Sequence, residues 1–201
     1  MAGSASIFAV NATPSPLTTQ QTATGAWTET IPAGGYTLLI IEQWAAGAGG
    51  GNGDGTDNFL GGGGGSGAYA ITTTAINISG QAGKTITGTN GTGGTNTPTN
   101  GGNSTITTAG TCPGITAITC NGGTLGGDGS SGGNGSPGAG GTLPSGTNWT
   151  GTAGNTSAGR PGGAAVTGVN GGPFGGGGQG GPLTGGPGIA GSNGGTVFRY
   201  T

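Results

Sequence analysis

The chain has 201 residues, of which 58 are Gly and 11 are Pro, and it carries three Lys or Arg, five Asp or Glu and no His. Gly and Pro make up about a third of it, which is typical of low-complexity chains, so order must rest on backbone hydrogen bonds more than on a large apolar core. Scarce cations argue against a nucleic-acid partner, and no apolar run approaches the ~20 residues of a membrane span.

The chain begins with a polar stretch, residues 1–25, rich in Ala, Ser, Thr, Gln and Pro. We expect an extended arm that docks onto a partner protein. The first residues, MAGSASIFAV, lack the positively charged segment of a signal peptide, so export by the usual route is not expected.

Residues 26–125, together with 195–201, predict an all-β domain, a small sandwich or meander without helices. The stretch WTETIPAGGYTLLIIEQW reads as two strands around a Pro-Ala-Gly-Gly turn. Apolar residues occupy both faces of the second strand, which predicts a central strand covered on both sides. The glycine-rich stretch after Trp44 reads as a flexible loop that returns to the sheet.

Two cysteines, Cys112 and Cys120, lie in TCPGITAITC, which resembles a hairpin turned at Pro113 and Gly114. A disulfide across that hairpin and a pair of free or buried thiols both fit the spacing, and a pair this sparse does not identify a redox compartment.

Motifs for chemistry are weak. In NGDGTDN, Asp54 and Asp57 with two Asn form a plausible oxygen cluster for Ca²⁺ or an ordinary polar turn. GQAGKT lacks the first Gly of a phosphate loop, because Ile78 stands there. Without His or a nucleophile paired with a base, we expect no enzyme activity and no cofactor.

Within residues 126–194, Gly recurs at every third position in three runs, 126–141, 172–181 and 185–194, each in a new register. A polyproline-II-type helix has three residues per turn, so these glycines share one edge, where a second backbone can approach closely. The tract predicts antiparallel polyglycine-II rods packed along these residues: Gly126, Gly129, Gly132, Gly135, Gly138, Gly141, Gly172, Gly175, Gly178, Gly181, Gly185, Gly188, Gly191 and Gly194.

Interruptions of the period predict the reversals between rods. They contain the bulky residues Leu143, Trp149, Val166 and Phe174. Loops on a rigid scaffold often bind partners, and an aromatic ring can stack on a sugar or fill a pocket. The alternative is that these side chains cap the rods or pack on a neighbouring subunit.

The order of parts carries a resemblance over residues 26–201. WTETIPAGGYTLLIIEQWAAGAGGG, GGGGGSGAYA, ITAITCNGGTLGGDG and a closing GGTVFRY resemble the glycine-rich domain of bacteriophage tail-fibre and other virion proteins. The tract is also similar to the polyglycine-II sandwich of distal tail-fibre adhesins of T-even-like phages. The resemblance implies a non-enzymatic virion protein that attaches to a host through loops at the rod ends.

This resemblance implies a place on the virion surface after synthesis in the host cytoplasm. Expected partners are other virion proteins, held by the N-terminal arm, and a host polysaccharide or outer-membrane protein. With few large apolar residues, we also expect a homotrimer or another symmetric array. Alternatives are a capsid decoration or head fibre, a hydrolytic spike, and an ice-binding protein, which would need a flat Thr or Ala face on the rods.

Overall fold

The structure, a computed structural model, describes residues 14–55, 59–130, 135–136, 138–142, 144, 146–157, 159–164, 166 and 174–201. This part of the chain contains strands and no helix, so the predicted all-β class is confirmed. In chain order the strands are β1 (Leu17–Gln21), β2 (Gly25–Thr30), β3 (Leu38–Trp44), β4 (Tyr69–Thr72), β5 (Ile76–Asn77), β6 (Thr85–Asn90), β7 (Ser104–Thr107), β8 (Ile118–Cys120), β9 (Trp149–Thr152) and β10 (Gly195–Tyr200).

The strands form two antiparallel sheets. Sheet A has the order β1-β10-β3-β4-β9, with β5 also paired to β3, and sheet B has the order β2-β6-β7-β8. Alternate residues of each strand face a shared core. In that core the rings of Trp27 and Phe198 meet edge to face, with centroids 5.5 Å apart.

A buried carboxylate joins the two sheets. Glu29 of β2 accepts hydrogen bonds from Thr19 Oγ1 (2.6 Å), Gln21 Nε2 (2.7 Å) and Tyr200 Oη (2.9 Å). Its donors lie on β1 and β10, so one side chain of sheet B ties together two strands of sheet A. Such a group is stable in a core only when hydrogen bonds replace its lost water.

Two predictions about the β domain need correction. Residues 17–21 form β1 and pair with β10 at the edge of sheet A, because Leu17, Thr19 and Gln21 turn inward against the core; the arm expected over residues 1–25 therefore excludes them. Strand β3 is central, as predicted, but its outer face is covered only toward Trp44: at the other end Leu38 is 42 % exposed.

The glycine-rich stretch after Trp44 forms two rods, residues 45–54 and 59–68. Their backbones pair antiparallel at every third residue: Ala45, Ala48, Gly51 and Asp54 donate to Ala68, Gly65, Gly62 and Phe59 at 2.8–2.9 Å. Hydrogen bonds between neighbouring rods at every third residue are the pattern expected of polyglycine-II packing. The flexible loop predicted here is wrong, since residues 45–51 and 61–68 are completely buried.

The first rod lies at the centre of the bundle. Its N–H and C=O groups bond to segments on all sides, because successive residues of a three-fold helix point in three directions. These neighbours are 59–68, 91–94, 99–102, 121–129, 175–181 and 186–192.

The described glycines of the predicted edge pack against other segments, but so do glycines between them, such as Gly140, Gly177 and Gly180, so the structure does not distinguish one edge. At these glycines an added Cβ would meet another segment of the bundle, at most of them a backbone atom less than 3.0 Å away. Gly132 and Gly172 lie outside the described residues. The described set is Gly126, Gly129, Gly135, Gly138, Gly141, Gly175, Gly178, Gly181, Gly185, Gly188, Gly191 and Gly194.

The predicted boundary at residue 126 does not separate sheet from rods. Segments 45–54, 59–68, 91–94 and 99–102 of the bundle come from the part assigned to the β domain, whereas β9 comes from the part assigned to the rods. The chain alternates between sheet and bundle, because each excursion into the bundle leaves the end of one strand and returns to the start of the next.

Candidate binding surface

Three reversals of the bundle lie together at its end farthest from the sheets. Asp54 pairs with Phe59 across the first, and Gly53 pairs with Gly186 of another. The N–H of Gly129 donates to the carbonyl oxygen of Asn52 at 2.8 Å and connects the third. We define the distal tip as the described residues 52–55, 59–60, 128–130 and 182–186.

The opposite end of the molecule is formed by sheet A. Leu17 and Leu39 both lie opposite Tyr200, while at the other end of the sheet Trp44 lies opposite Gly195 and leads into the first rod. Leu17, at which the first strand begins, therefore lies far from the distal tip. The rod from Ala45 to Asp54, at ~3.1 Å per residue, separates sheet and tip by roughly 30 Å.

The distal tip combines apolar and acidic groups. Leu183 is 45 % exposed, and Phe59 and Leu60, which belong to another of the three reversals, are half-buried. Asp128 is exposed, and its Oδ1 accepts the N–H of Asn52 at 2.6 Å. No Lys or Arg stands among the described tip residues, so this surface suits a partner with apolar and cationic groups.

Three of the residues proposed for recognition are packed inside the protein. Trp149 is the first residue of β9 and only 9 % exposed, and its Nε1 donates to Thr116 Oγ1 at 3.0 Å. Val166 and Phe174 pack against Trp44 on the outer face of sheet A. Recognition by these side chains is therefore wrong; Leu143 lies outside the described residues.

The sequence indicated the wrong bulky residues because apolar side chains in a glycine tract have two uses. A tract that folds back on a sheet needs side chains to cover that sheet, and Val166 and Phe174 do so. The tip residues Phe59 and Leu183 were missed because each belongs to a short turn region, Phe59 after NGDGTDN and Leu183 between Pro182 and Thr184, rather than to a long interruption.

In the described part of the chain no three His, Cys, Asp or Glu are placed to hold a metal ion. Glu42 is fully buried, accepts from Tyr69 Oη at 2.8 Å and pairs with Arg199 Nη2 at 3.2 Å. The N–H of Asp54 bonds to Phe59 at the tip. Asp57, the other calcium candidate, lies outside the described residues.

Both cysteines are free thiols and buried. The hairpin expected between them is wrong: Cys120 belongs to β8, which pairs with β7, while the N–H of Cys112 donates to the carbonyl oxygen of Thr85 next to β6. Burial raises the pKa of both thiols, that of Cys120 to about 12. Neutral thiols of this kind are poor nucleophiles.

Comparison with protein-family models and with curated protein sequences finds no match for the chain. Across the residues that the structure describes, it has no helix with the length and apolar character required to cross a membrane.

Proposed function

We propose that this chain is a non-enzymatic structural protein of a bacteriophage particle and acts as a tail-fibre or tail-tip adhesin. The observation that carries the proposal is that sheet A and the distal tip lie at opposite ends of the molecule, so that sheet A forms its base. The first strand begins at Leu17 at one end of the molecule, and three reversals meet at the other, beyond a bundle of rods. That arrangement suits a module held by the virion at its base and by the host at its tip.

The stiffness of the bundle supports this role. The central rods have no side chain larger than that of Ser from residue 45 to 51 and from 61 to 68, so backbone meets backbone and each rod is held by bonds on several sides. Loops presented on a rigid scaffold lose little entropy when they bind. The preferred partner is an outer-membrane protein whose loops offer apolar and cationic side chains, and several copies arranged symmetrically would add avidity.

Competition for the host tests this function. The purified chain, preincubated with host cells, is expected to slow adsorption of the phage that encodes it. Leu183→Asp, at the tip, should abolish the competition, while Leu125→Asp is the matched control, because Leu125 is similarly exposed (40 %) on the side of the bundle. Equal competition by both variants, or none by the unmodified chain, would overturn the adhesin proposal.

The second possible location of the protein is the head of the particle, and it must be distinguished from the tail. Antibodies against the chain, seen by electron microscopy on intact particles, should label the tail. Labelling of the capsid surface would instead assign the protein to capsid decoration or a head fibre.

A further inference from the structure

The outer face of sheet B carries almost a single residue type. Residues of β2, β6, β7 and β8 alternate between buried and solvent-facing positions. Eight of the nine solvent-facing positions hold Thr, which makes up only 35 of the 201 residues. We call this set the threonine face: Ala26, Thr28, Thr30, Thr85, Thr87, Thr89, Thr105, Thr107 and Thr119.

These side chains form rows across the strands. Thr28, Thr87 and Thr107 lie opposite one another in the register, as do Thr89, Thr105 and Thr119 in the next row. Neighbouring rows are ~6.7 Å apart and neighbours within a row ~4.8 Å. The threonine face is therefore a regular array of hydroxyl and methyl groups, held by side chains that are stiff at χ1.

Threonine is not the default on every exposed sheet face of this protein. The outer face of sheet A has Thr on its two edge strands, at Thr18, Thr150 and Thr152, but its other accessible positions include Leu38, Ile40, Ile71 and Arg199. Both faces are built from antiparallel strands with the same β-propensity requirements. The uniform composition is thus particular to sheet B, which points to a use for that face beyond strand formation.

The hydroxyl groups keep unused hydrogen-bonding capacity. Thr87 Oγ1 and Thr107 Oγ1 are 2.9 Å apart, and Thr89 Oγ1 and Thr105 Oγ1 are also 2.9 Å apart. Each pair uses one O–H between its members, and Thr107 Oγ1 also donates to the carbonyl oxygen of Thr87 at 3.4 Å. The Thr89–Thr105 pair has a second O–H to offer a partner, and both pairs keep acceptor lone pairs. No charged side chain stands among the nine positions, so the face fits a neutral partner with many hydroxyl groups and lacks what an anionic one would need.

We propose that the threonine face binds a neutral polysaccharide chain through hydrogen bonds between hydroxyl groups. The face measures at most about 20 Å by 20 Å, roughly 400 Å², half of what each partner buries in a stable protein interface, so a second copy of this chain is disfavoured. Sheets twist by roughly 20–25° per strand, which prevents a four-stranded face from matching a rigid ice lattice, whereas a flexible glycan can follow it.

This binding is weak at one copy, because the nine positions offer no aromatic ring for sugar stacking. Several copies on one particle would make it effective. The threonine face and the distal tip are separate surfaces, so the inference holds whether or not the tip binds a receptor.

Affinity electrophoresis of the full chain tests the inference. Gels contain dextran, mannan or galactan as neutral probes, and dextran sulfate as an anionic one. We expect retardation by at least one neutral polymer and none by dextran sulfate. The double variant Thr87→Val and Thr107→Val keeps shape and β-propensity, and each lost hydrogen bond should weaken binding about fivefold.

The matched control makes the same change on sheet A. The double variant Thr150→Val and Thr152→Val alters exposed residues of β9 and should leave retardation unchanged. Melting curves of both variants verify that they fold, and Thr119→Val provides a second face variant at the other side of the sheet. Retardation by none of the neutral polymers, equal loss in the control, retardation by dextran sulfate alone, or self-association that depends on Thr87 would each overturn the proposal.

Discussion

Trp44 Nε1 donates a hydrogen bond of 2.9 Å to the carbonyl oxygen of Val166, a residue 122 positions later in the chain. Trp44 ends β3, and around its indole lie the rings of Tyr69, with centroids 4.9 Å away, and Phe174, at 5.5 Å. The glycine tract thus covers the outer face of sheet A at this point. A backbone bundle with few side chains is attached to a sandwich through one small aromatic cluster.

Replacement of Trp44 is expected to weaken this attachment. Trp44→Leu removes the hydrogen bond and leaves a cavity, so the free energy of unfolding should fall by about 3 kcal/mol. Urea unfolding measures the loss. Ile189→Ala is the control, since Ile189 is 57 % exposed and should change stability by less than about 0.5 kcal/mol. Similar losses in the two variants would contradict the role of Trp44.

A methyl group in the centre of the bundle should be far more harmful than one at its tip. At Gly64 an added Cβ would come within 2.6 Å of the carbonyl oxygen of Gly49, whereas at Gly55 the nearest atom would be 3.2 Å away. Gly64→Ala is therefore expected to cost 3 kcal/mol or more, roughly the loss of several backbone bonds. Gly55→Ala should cost about 1 kcal/mol at most.

Thermal melting of the two alanine variants gives the comparison. Because both exchange the same residue pair, the change in the unfolded chain is the same for each. Equal melting temperatures would show that the rods can separate freely, which is incompatible with the packing of backbone against backbone.

The sheets could be predicted from the sequence because their strands have the usual signals. Strand β3 has a continuous apolar run, β6 alternates Thr with buried residues, and the closing β10 has an apolar and aromatic run. β1 could not be predicted, since Leu17 is its single apolar residue and its stability comes from pairing with β10 and from the bonds of Thr19 and Gln21 to Glu29.

The rods were predicted in the wrong place for a physical reason. The period over residues 126–141 does not mark one rod: Gly127 donates to Ser136 and Thr124 to Ala139, so the described residues of segments 121–130 and 135–141 run antiparallel to each other. These outer segments have fewer neighbours and can hold larger residues between their glycines. A central rod meets neighbours on all sides and needs small residues everywhere, so AAGAGGG and GGGGGSGA show no period. Uninterrupted Gly and Ala, rather than periodic Gly, is the signal of the bundle centre.

The tip could be predicted only as a set of reversals. Which reversals share one end depends on rod length and on pairing between distant segments, such as Gly53 with Gly186. The sequence around a single reversal shows neither the length of the rods nor the pairing between distant segments. Trp149 illustrates the converse error, because its strand β9 is defined by pairing with β4 and has little strand signal of its own.

Removal of Arg199 is expected to leave the buried carboxylate of Glu42 without its cationic partner. Arg199 is 3.2 Å from fully buried Glu42. Breaking such a pair by removing one partner costs about 3 kcal/mol, while replacing both with uncharged groups costs less. Arg199→Met should therefore destabilise the protein more than the double variant Arg199→Met and Glu42→Gln, as measured in urea. A double variant no more stable than the single one would contradict this account.

Stability should fall at alkaline pH because of a buried thiol. Burial raises the pKa of Cys120 from 9.0 to about 12 in the folded protein. Between these values the unfolded chain has released the proton while the folded chain keeps it, so the free energy of unfolding decreases by about 1.4 kcal/mol per pH unit. Below pH 9 both states hold the proton, and this contribution is fully present and constant.

The slope of stability against pH, measured by urea unfolding between pH 8 and pH 10.5, tests this linkage. Cys120→Ala loses some stability at every pH but should show a shallower decline above pH 9, because its titrating group is gone. Part of the decline should remain above pH 10, since burial and the nearby carboxylate of Glu29 raise the pKa of Tyr200 as well. If the variant and the unmodified chain declined in parallel, Cys120 would have no share in the alkaline loss of stability.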